Sequence, residues 1–268
     1  MKQFDYESKI WGGSKVRLSP FYLGASRLEF ALKDLKKIKG KILEVGCGGG
    51  GMVKAIKFYR PDLKVIGVDI SKKAISEAKK DPHRVNFFLA DAYNLPFRDK
   101  SFEAVLMFDF LEHLDDPLKS LAEVYRVLKP KGIFSSFTPI EGNIFCIHGL
   151  AKRVFGFIPK EEYGGHIQQY TLSELRSLVR KVQLKILRKQ YFGHFFNQLV
   201  DFSYFTLLSY RGKNTAYSVE GYLVRKRGLK RNLIALVKSV IAFISYFESK
   251  IFWFLPGSGV CLTARRPV

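Results

Sequence analysis

The stretch Lys41-Ile-Leu-Glu-Val-Gly-Cys-Gly-Gly-Gly-Gly51 constrains this chain more than any other. It opens with Ile42, Leu43 and Val45, an apolar run long enough for a buried parallel strand and too short for a helix. The consecutive glycines Gly48 to Gly51 then allow backbone angles and close approaches that side chains forbid. Met52, Val53, Ile56 and Phe58 or Tyr59 follow at helical spacing. Strand, glycine turn and helix in that order make a site where a nucleotide-like ligand can lie against bare backbone. A glycine-rich turn by itself is equally a flexible loop, so the flanking pattern has to decide.

That pattern alternates. Ser19-Pro20 predicts a helix start, with serine as cap and proline in the first turn. Leu28, Ala31, Leu32, Leu35 and Ile38 give the helix one apolar face, and Gly40 ends it. After the glycine turn come a second strand, Leu63 to Asp69, a helix capped by Ser71, and a third strand, Val85 to Leu89, followed by Asp91. Phe102 to Phe108 is the fourth strand, Asp116-Pro117 opens a helix to Leu128, Lys129 to Gly132 is a turn, and Ile133 to Phe137 is the fifth strand. Strands and helices alternating at this interval predict a doubly wound α/β fold with a mostly parallel sheet covered on both faces. Ligands of such sheets sit beyond the carboxyl ends of the strands. Glu44, Asp69, Asp91 and Asp109 all fall on that rim.

The chain has 268 residues, enough for one substantial core plus an appendage. Its formal net charge of +21 attracts an anionic partner, whether nucleic acid, a membrane surface or a phosphorylated substrate; lysines on solvated helix faces are the plainer explanation. Cys47, Cys146 and Cys261 are widely spaced, without metal-ligand spacing, and fit a reducing compartment. The first residues lack a signal-peptide core. The expected location is cytoplasmic, peripheral on the inner face of the membrane.

Five segments then carry a resemblance. Leu43-Glu-Val-Gly-Cys-Gly48, Val68-Asp-Ile-Ser71, Ala90-Asp-Ala-Tyr-Asn-Leu-Pro-Phe97, Leu111-Glu-His-Leu-Asp-Asp-Pro117 and Leu128-Lys-Pro-Lys-Gly-Ile133 resemble, in order and spacing, the motifs of class I S-adenosylmethionine-dependent methyltransferases. The resemblance is to the small-molecule enzymes, including those of ubiquinone and menaquinone biosynthesis. A dinucleotide-binding dehydrogenase would also use Asp69, an acid about 20 residues past the glycines. It leaves Asp91 with Leu95-Pro96-Phe97, and the Glu112-His113 segment, unexplained. The resemblance implies a seven-stranded Rossmann-like sheet with an antiparallel last strand, and S-adenosyl-L-methionine as cofactor. Gly46 and Gly48, with Cys47 between them, would let the backbone approach the methionine and ribose portion, with Glu44 near its amino end. Asp69 would accept from both ribose hydroxyls, since a carboxylate has two oxygens for a vicinal diol. Ile70 would pack on the adenine, Asp91 would accept from its amino group, and Ala92 would line the same pocket. Asp109 would face the sulfonium and the substrate.

Methyl transfer is an in-line displacement, so alignment carries much of the catalysis, and a hydroxyl acceptor also needs its proton removed. Asp109-Phe-Leu-Glu-His113 is similar to the Glu-x-x-Glu-His element of metal-assisted O-methyltransferases, with Asp109 where that element has its first glutamate. The expectation is no metal, with ordinary capping contacts for Glu112 and His113; Asp109, Glu112 and His113 are the residues that would hold one. His166, in Gly164-Gly-His-Ile-Gln-Gln-Tyr-Thr171, resembles a substrate-facing segment and is the candidate base, with Asp109 and His113 beside it as catalytic candidates. His148 and His194 are expected to pack in the core or cap.

Thr171 caps a helix from Leu172 to Lys181, Leu184 to Tyr191 is a sixth strand, and Gly259 to Pro267 resembles the family's last strand. The expected organisation is therefore an N-terminal helical lid (1–40), a cofactor-binding domain (41–192 and 258–268), and an aromatic-rich helical cap inserted between the last two strands (193–257). Phe195 to Leu208 is nearly continuous in apolar residues. Leu233 to Leu255 is apolar except for a narrow stripe of Lys238, Ala242, Ser245 and Ser249, which suits a helix lying in a membrane interface. Arg211, Lys213, Arg225, Lys226, Arg227, Lys230 and Arg231 suit anionic headgroups or phosphates. Two function classes follow. One is an enzyme methylating a small hydrophobic acceptor (isoprenoid, quinone-like or lipid) at an anionic membrane surface. The other is an RNA-directed methyltransferase or nucleic-acid-binding protein using the same charge, although no Asn-Pro-Pro-Tyr-like motif follows the fourth strand.

Overall fold

The computed structural model describes residues 7, 10–13, 15–80, 85–143, 146–157, 159–211 and 228–268, with the side chains of 159, 162, 163, 208, 210 and 211 left aside. In β1 (Lys41–Val45) the neighbours Ile42 and Leu43 are both fully buried, yet they point to opposite faces of the sheet. Ile42 packs with Leu28, Ile56 and Ile75 in one core, and Leu43 with Val105, Leu121 and Val179 in the other. A strand buried on both sides calls for helices on both sides, and the chain supplies them. On the first face lie α1 (Ala25–Asp34), α2 (Gly51–Tyr59) and α3 (Lys72–Ala78); on the second lie α4 (Pro117–Val127) and α7 (Leu172–Lys181).

The other strands are β2 (Lys64–Asp69), β3 (Asn86–Leu89), β4 (Phe102–Phe108), β5 (Leu128–Pro139), β6 (Lys185–Phe192) and β7 (Gly259–Arg265). Their order is β3-β2-β1-β4-β5-β7-β6. The pairs from β3 through to β5 are parallel, and β7 runs antiparallel between β5 and β6. This is the expected seven-stranded sheet. It differs from the dinucleotide-binding order, which places a parallel sixth strand beside the fifth.

Local chemistry sets the helix starts. Ser71 Oγ accepts from Ala74 N (3.1 Å), Asp116 Oδ1 from Lys119 N (3.1 Å), and Thr171 forms a reciprocal capping box with Glu174. Ser19 does not start a helix. Its carbonyl closes a turn onto Tyr22 N, and α1 begins only after Gly24 has taken a left-handed conformation at φ 87°. The turn expected at Lys129 to Gly132 is a kink within β5, where Lys131 has φ 66°. It stays in the sheet because Lys131 N donates to Arg266 O (2.9 Å) and Arg266 N to Gly132 O (3.0 Å).

Among the described residues, four further helices lie outside the sheet layers. Those between β5 and α7 are α5 (Ile147–Phe155) and α6 (Pro159–Gly164); those between β6 and β7 are α8 (Phe195–Arg211) and α9 (Leu229–Ile251). α8 packs on α5, α6 and α9, and α9 also meets α1. The orientation of α9 is the reverse of the usual amphipathic helix. Ala242, Ser245, Glu248 and Ser249 are its buried residues, while Leu233, Leu236, Val240, Phe247 and Ile251 are exposed. Glu248 explains this, because its carboxylate accepts from Phe196 N (2.6 Å) and Asn197 N (3.2 Å) and so caps α8. The small polar stripe is thus the packed face. Of the basic residues noted between these helices, Lys213, Arg225, Lys226 and Arg227 lie outside the described residues, as does the side chain of Arg211.

Candidate active site

The glycine turn is fixed from below by β2: Gly46 N and Cys47 N both donate to Val68 O (2.9 and 3.0 Å). Gly46 and Gly48 sit at φ 74° and 52°, and a side chain would have no room at either. A Cβ on Gly46 would strike the ring of Phe110, and one on Gly48 the carbonyl of Trp11. Two N–H groups at this helix start already have acceptors, since Gly49 N donates to Trp11 O (2.8 Å) and Gly51 N to Gly12 O (2.7 Å). The segment around Trp11 and Gly12 thereby occupies part of the cradle that a phosphate would use.

What stays available is a rim of carboxylates. Asp69 Oδ2 accepts from Gly48 N (2.7 Å) and Oδ1 from Ser71 N (2.9 Å). Burial raises its pKa and these N–H groups restrain the rise. Each oxygen keeps a lone pair for a further donor, so a diol can still be held. Glu44 is buried, its Oε2 has no partner among the described residues, and burial followed by the neighbouring Asp69 pushes its carboxyl well up. An unpartnered buried acceptor at this edge fits a ligand's ammonium group. Ile70 is 61% exposed on the same rim, an apolar surface suited to a flat ring. Asp91 is exposed and binds Tyr93 N (2.8 Å) in its own turn, with Ala92 buried beside it. The Cys47 thiol is buried against Gly67, and burial raises its pKa, so its role is packing.

Asp109 ends β4 in a left-handed conformation at φ 49°, ion-paired with Arg27 of α1, whose guanidinium lies 3.8 Å from the Phe137 ring centre. Phe110 covers Gly46, and a 3₁₀ turn, Leu111–His113, follows at once. Glu112 makes no capping contact. It is fully buried, neither carboxylate oxygen has a hydrogen-bond partner among the described residues, and burial pushes its pKa up to about 8. His113 Nδ1 lies 2.8 Å from Gly165 O, and its pKa is pushed down to about 4, by burial first and His166 second. The His113 and His166 rings meet edge to face at 5.1 Å. Gln168 N donates to Glu112 O (3.0 Å) and Tyr170 OH to Leu111 O (3.1 Å), tying the His166 loop to the turn.

Behind His166 runs a buried ionic chain that the sequence did not disclose. His166 Nδ1 is 3.2 Å from Glu141 Oε2, Lys160 Nζ is 2.5 Å from both Glu141 Oε1 and Asp201 Oδ2, and His148 Nε2 is 3.3 Å from Asp201 Oδ2. Burial opposes ionisation of Glu141, yet Lys160 and His166 hold its carboxyl far below the usual range. Glu141 in turn raises the pKa of His166 against burial. His148 was expected only to pack; it does so against Phe202 and Phe205, and also joins this chain. His194 anchors the cap through Nε2 to Leu255 O (3.1 Å). Glu141 follows the end of β5, so the rim rule that selected Asp109 could have found it. Arg27, Lys160 and Asp201 come from other elements and carried no local signal.

Residues 43–136 match the methyltransferase domain family. A ubiquinone/menaquinone biosynthesis C-methyltransferase, UbiE, from Desulfotalea psychrophila is 39% identical over 109 residues, covering 39% of this chain and 44% of the relative. A sterol 24-C-methyltransferase from Aspergillus fumigatus is 32% identical over 126 residues, covering 44% and 33%. The chain thus spans less than half the length of these curated relatives. Among solved structures, a putative methyltransferase from Bacillus halodurans superimposes with a TM-score of 0.58 at 18% identity, covering 91% of this chain and 100% of that one.

Proposed function

We propose, from a chain that carries a class I methyltransferase domain, that it transfers a methyl group from S-adenosylmethionine to a small hydrophobic acceptor taken from an anionic membrane surface. Bound at the rim, the cofactor supplies an activated methyl group on a sulfonium. The observation that carries the reading is the short link from Asp109 to His113. Its first half, Asp109 and Phe110, lies against Arg27 and Gly46 on the donor side, and its second half, Glu112 and His113, lies against His166. Asp69 would hold the ribose, Ile70 and Ala92 would bracket the adenine with Asp91 at its edge, and Glu44 would meet the ammonium group. Arg27 fixes Asp109 at the end of β4, so alignment rests on an ion pair between the lid and the sheet. The His113–His166–Glu112 cluster would hold the acceptor's polar atom and dispose of its proton, with Glu141 orienting His166.

Two observations support a hydrophobic acceptor at a membrane. Relatives over the shared segment are named for quinone and sterol methylation. The exposed apolar face of α9, continued by Trp253 and Phe254, accompanies a net charge of +21. Among the described residues no helix is long and apolar enough to cross a membrane, so the contact would be interfacial. The test is to incubate the chain with methyl-labelled cofactor and extracted lipids, quinones and total RNA, and to separate the products. Label in the organic phase is expected. Label confined to RNA, or none with any acceptor, overturns the proposal.

A further inference from the structure

We propose that Glu112, His113 and His166 form a site for one divalent transition-metal ion, of the two-imidazole, one-carboxylate type. Each residue offers one ligand atom, and these atoms lie within 4.8 Å of one another. His113 Nε2 and Glu112 Oε1 are 4.0 Å apart. Bonds of about 2.1 Å in a tetrahedral set separate ligand atoms by roughly 3.4 Å, a contraction that small side-chain rotations supply.

The Nδ1 contacts of both rings leave Nε2 as the nitrogen to bind a metal. A carbonyl only accepts, so the Gly165 O contact at 2.8 Å assigns the proton of His113 to Nδ1 and turns the Nε2 lone pair toward Glu112. Glu141, held ionised by Lys160, does the same for His166 through Nδ1 at 3.2 Å. One backbone carbonyl and one carboxylate behind two imidazoles is the outer-shell pattern that orients metal-binding histidines and raises their basicity. The third ligand brings an independent observation. Glu112 is fully buried, and both of its oxygens lack a hydrogen-bond partner among the described residues. A buried carboxylate left this way needs a cation or a proton.

The donor set chooses the ion. Two imidazoles with one carboxylate are borderline ligands, suited to zinc, iron(II), cobalt or manganese and poorly suited to magnesium or calcium, which prefer oxygen alone. The set also differs from the one that chain order suggested, because Asp109 is engaged by Arg27 and His166 takes the third position. Three protein ligands leave open coordination positions. The inference rests on ligand geometry and stands whether or not the transfer reaction proposed above is correct.

The experiment uses the untagged full chain, stripped with chelator, desalted and titrated with zinc chloride and separately with magnesium chloride by calorimetry. One zinc per chain is expected, weakened at least about 100-fold in Glu112→Gln, with magnesium far weaker. His113→Asn is a second variant, and circular dichroism verifies that both variants fold. Binding of S-adenosylhomocysteine, measured on the same Glu112→Gln sample, reports the donor site separately. The proposal is overturned if the native chain binds no stoichiometric zinc, if both folded variants bind zinc as tightly as it does, or if magnesium binds as tightly as zinc.

Discussion

Leu233 and Leu236 test the membrane reading most directly, because they lie on the outward face of α9. They are 59% and 61% exposed, so each leaves roughly 85 Å² of side chain in water, worth about 2 kcal/mol on full transfer to an apolar phase. At interfacial depth about half of that is realised, near 1 kcal/mol per residue. The double variant Leu233→Gln, Leu236→Gln should therefore lose about 2 kcal/mol, or roughly thirtyfold in partition onto vesicles. Glutamine keeps the helix propensity close to that of leucine, and substitutions at such exposed positions change folding stability by about 0.5 kcal/mol or less. The assay is cosedimentation with vesicles containing about one-third anionic lipid, at low and raised salt, alongside a urea melt. Partition of the native chain should fall with salt, as an electrostatic contribution requires. Equal partition of native and variant chains would remove α9 from the contact surface. Failure of the native chain to sediment at all would end the membrane reading.

Asp69→Ala should weaken S-adenosylhomocysteine binding about 100-fold or more by calorimetry, since two charge-assisted hydrogen bonds to ligand are lost. Because burial raises the Asp69 pKa, the carboxyl takes up its proton at a higher pH than an ordinary aspartate does. Affinity should accordingly fall on acidification, earlier than for an ordinary aspartate, and Asp69→Asn should flatten the profile. The same raised pKa means that the folded state gains relative stability on acidification and loses it as pH rises through the folded value. His166→Ala should lower turnover by about 10²-fold or more while leaving S-adenosylhomocysteine affinity within about twofold; equal turnover would take it out of the site. Lys160→Met removes the ammonium that joins Glu141 to Asp201, leaving each carboxylate with only an imidazole beside it, and should destabilise the chain by about 3 kcal/mol in urea unfolding.

The sheet and its helices were legible because their signals are local. Apolar runs of strand length, the Ser71, Asp116 and Thr171 caps and the glycine turn each act within a few residues, and all appear as read. Ser19-Pro20 misled because Gly24, five residues later, takes a left-handed conformation that no continuous helix accommodates. On the donor side, Glu44, Gly46, Gly48 and Asp69 come together because adjacent parallel strands end at the same rim. Asp69 was expected to accept from a diol; its contact with Ser71 N is local, whereas its use by Gly48 N, 21 residues away, could not be seen without the fold. The acceptor side was only half legible. Glu112 and His113 stood in a recognisable element, but the residues around them, Glu141, Lys160, Gly165, His166 and Asp201, all lie 25 or more residues further along the chain. Charge pairs of that kind depend on which helices pack, and no periodicity encodes it.

The cap joins these two halves through an inversion of the usual layering. Its interior is polar, with Glu141, Lys160, Asp201, His148, Gln198, Ser245 and Glu248 all low in exposure or ion-paired, while its outward residues include Leu233, Leu236, Val240, Phe247 and Phe254. Hydrogen bonds such as those of Glu248 to α8 contribute about 1 kcal/mol each in water, so they hold α9 in place without driving it there. Lys250 and Tyr246 of α9 both meet Glu29 of α1, the helix that also carries Arg27 to Asp109. A surface that covers the apolar face of α9 would bind only the assembled cap and would therefore stabilise it. Through α1 that stabilisation reaches the ion pair at the end of β4, where donor and acceptor sides meet. On the proposed membrane reading, fixing the cap would therefore also align the site, and anionic vesicles should raise turnover; turnover unchanged by vesicles that bind the chain would sever that link.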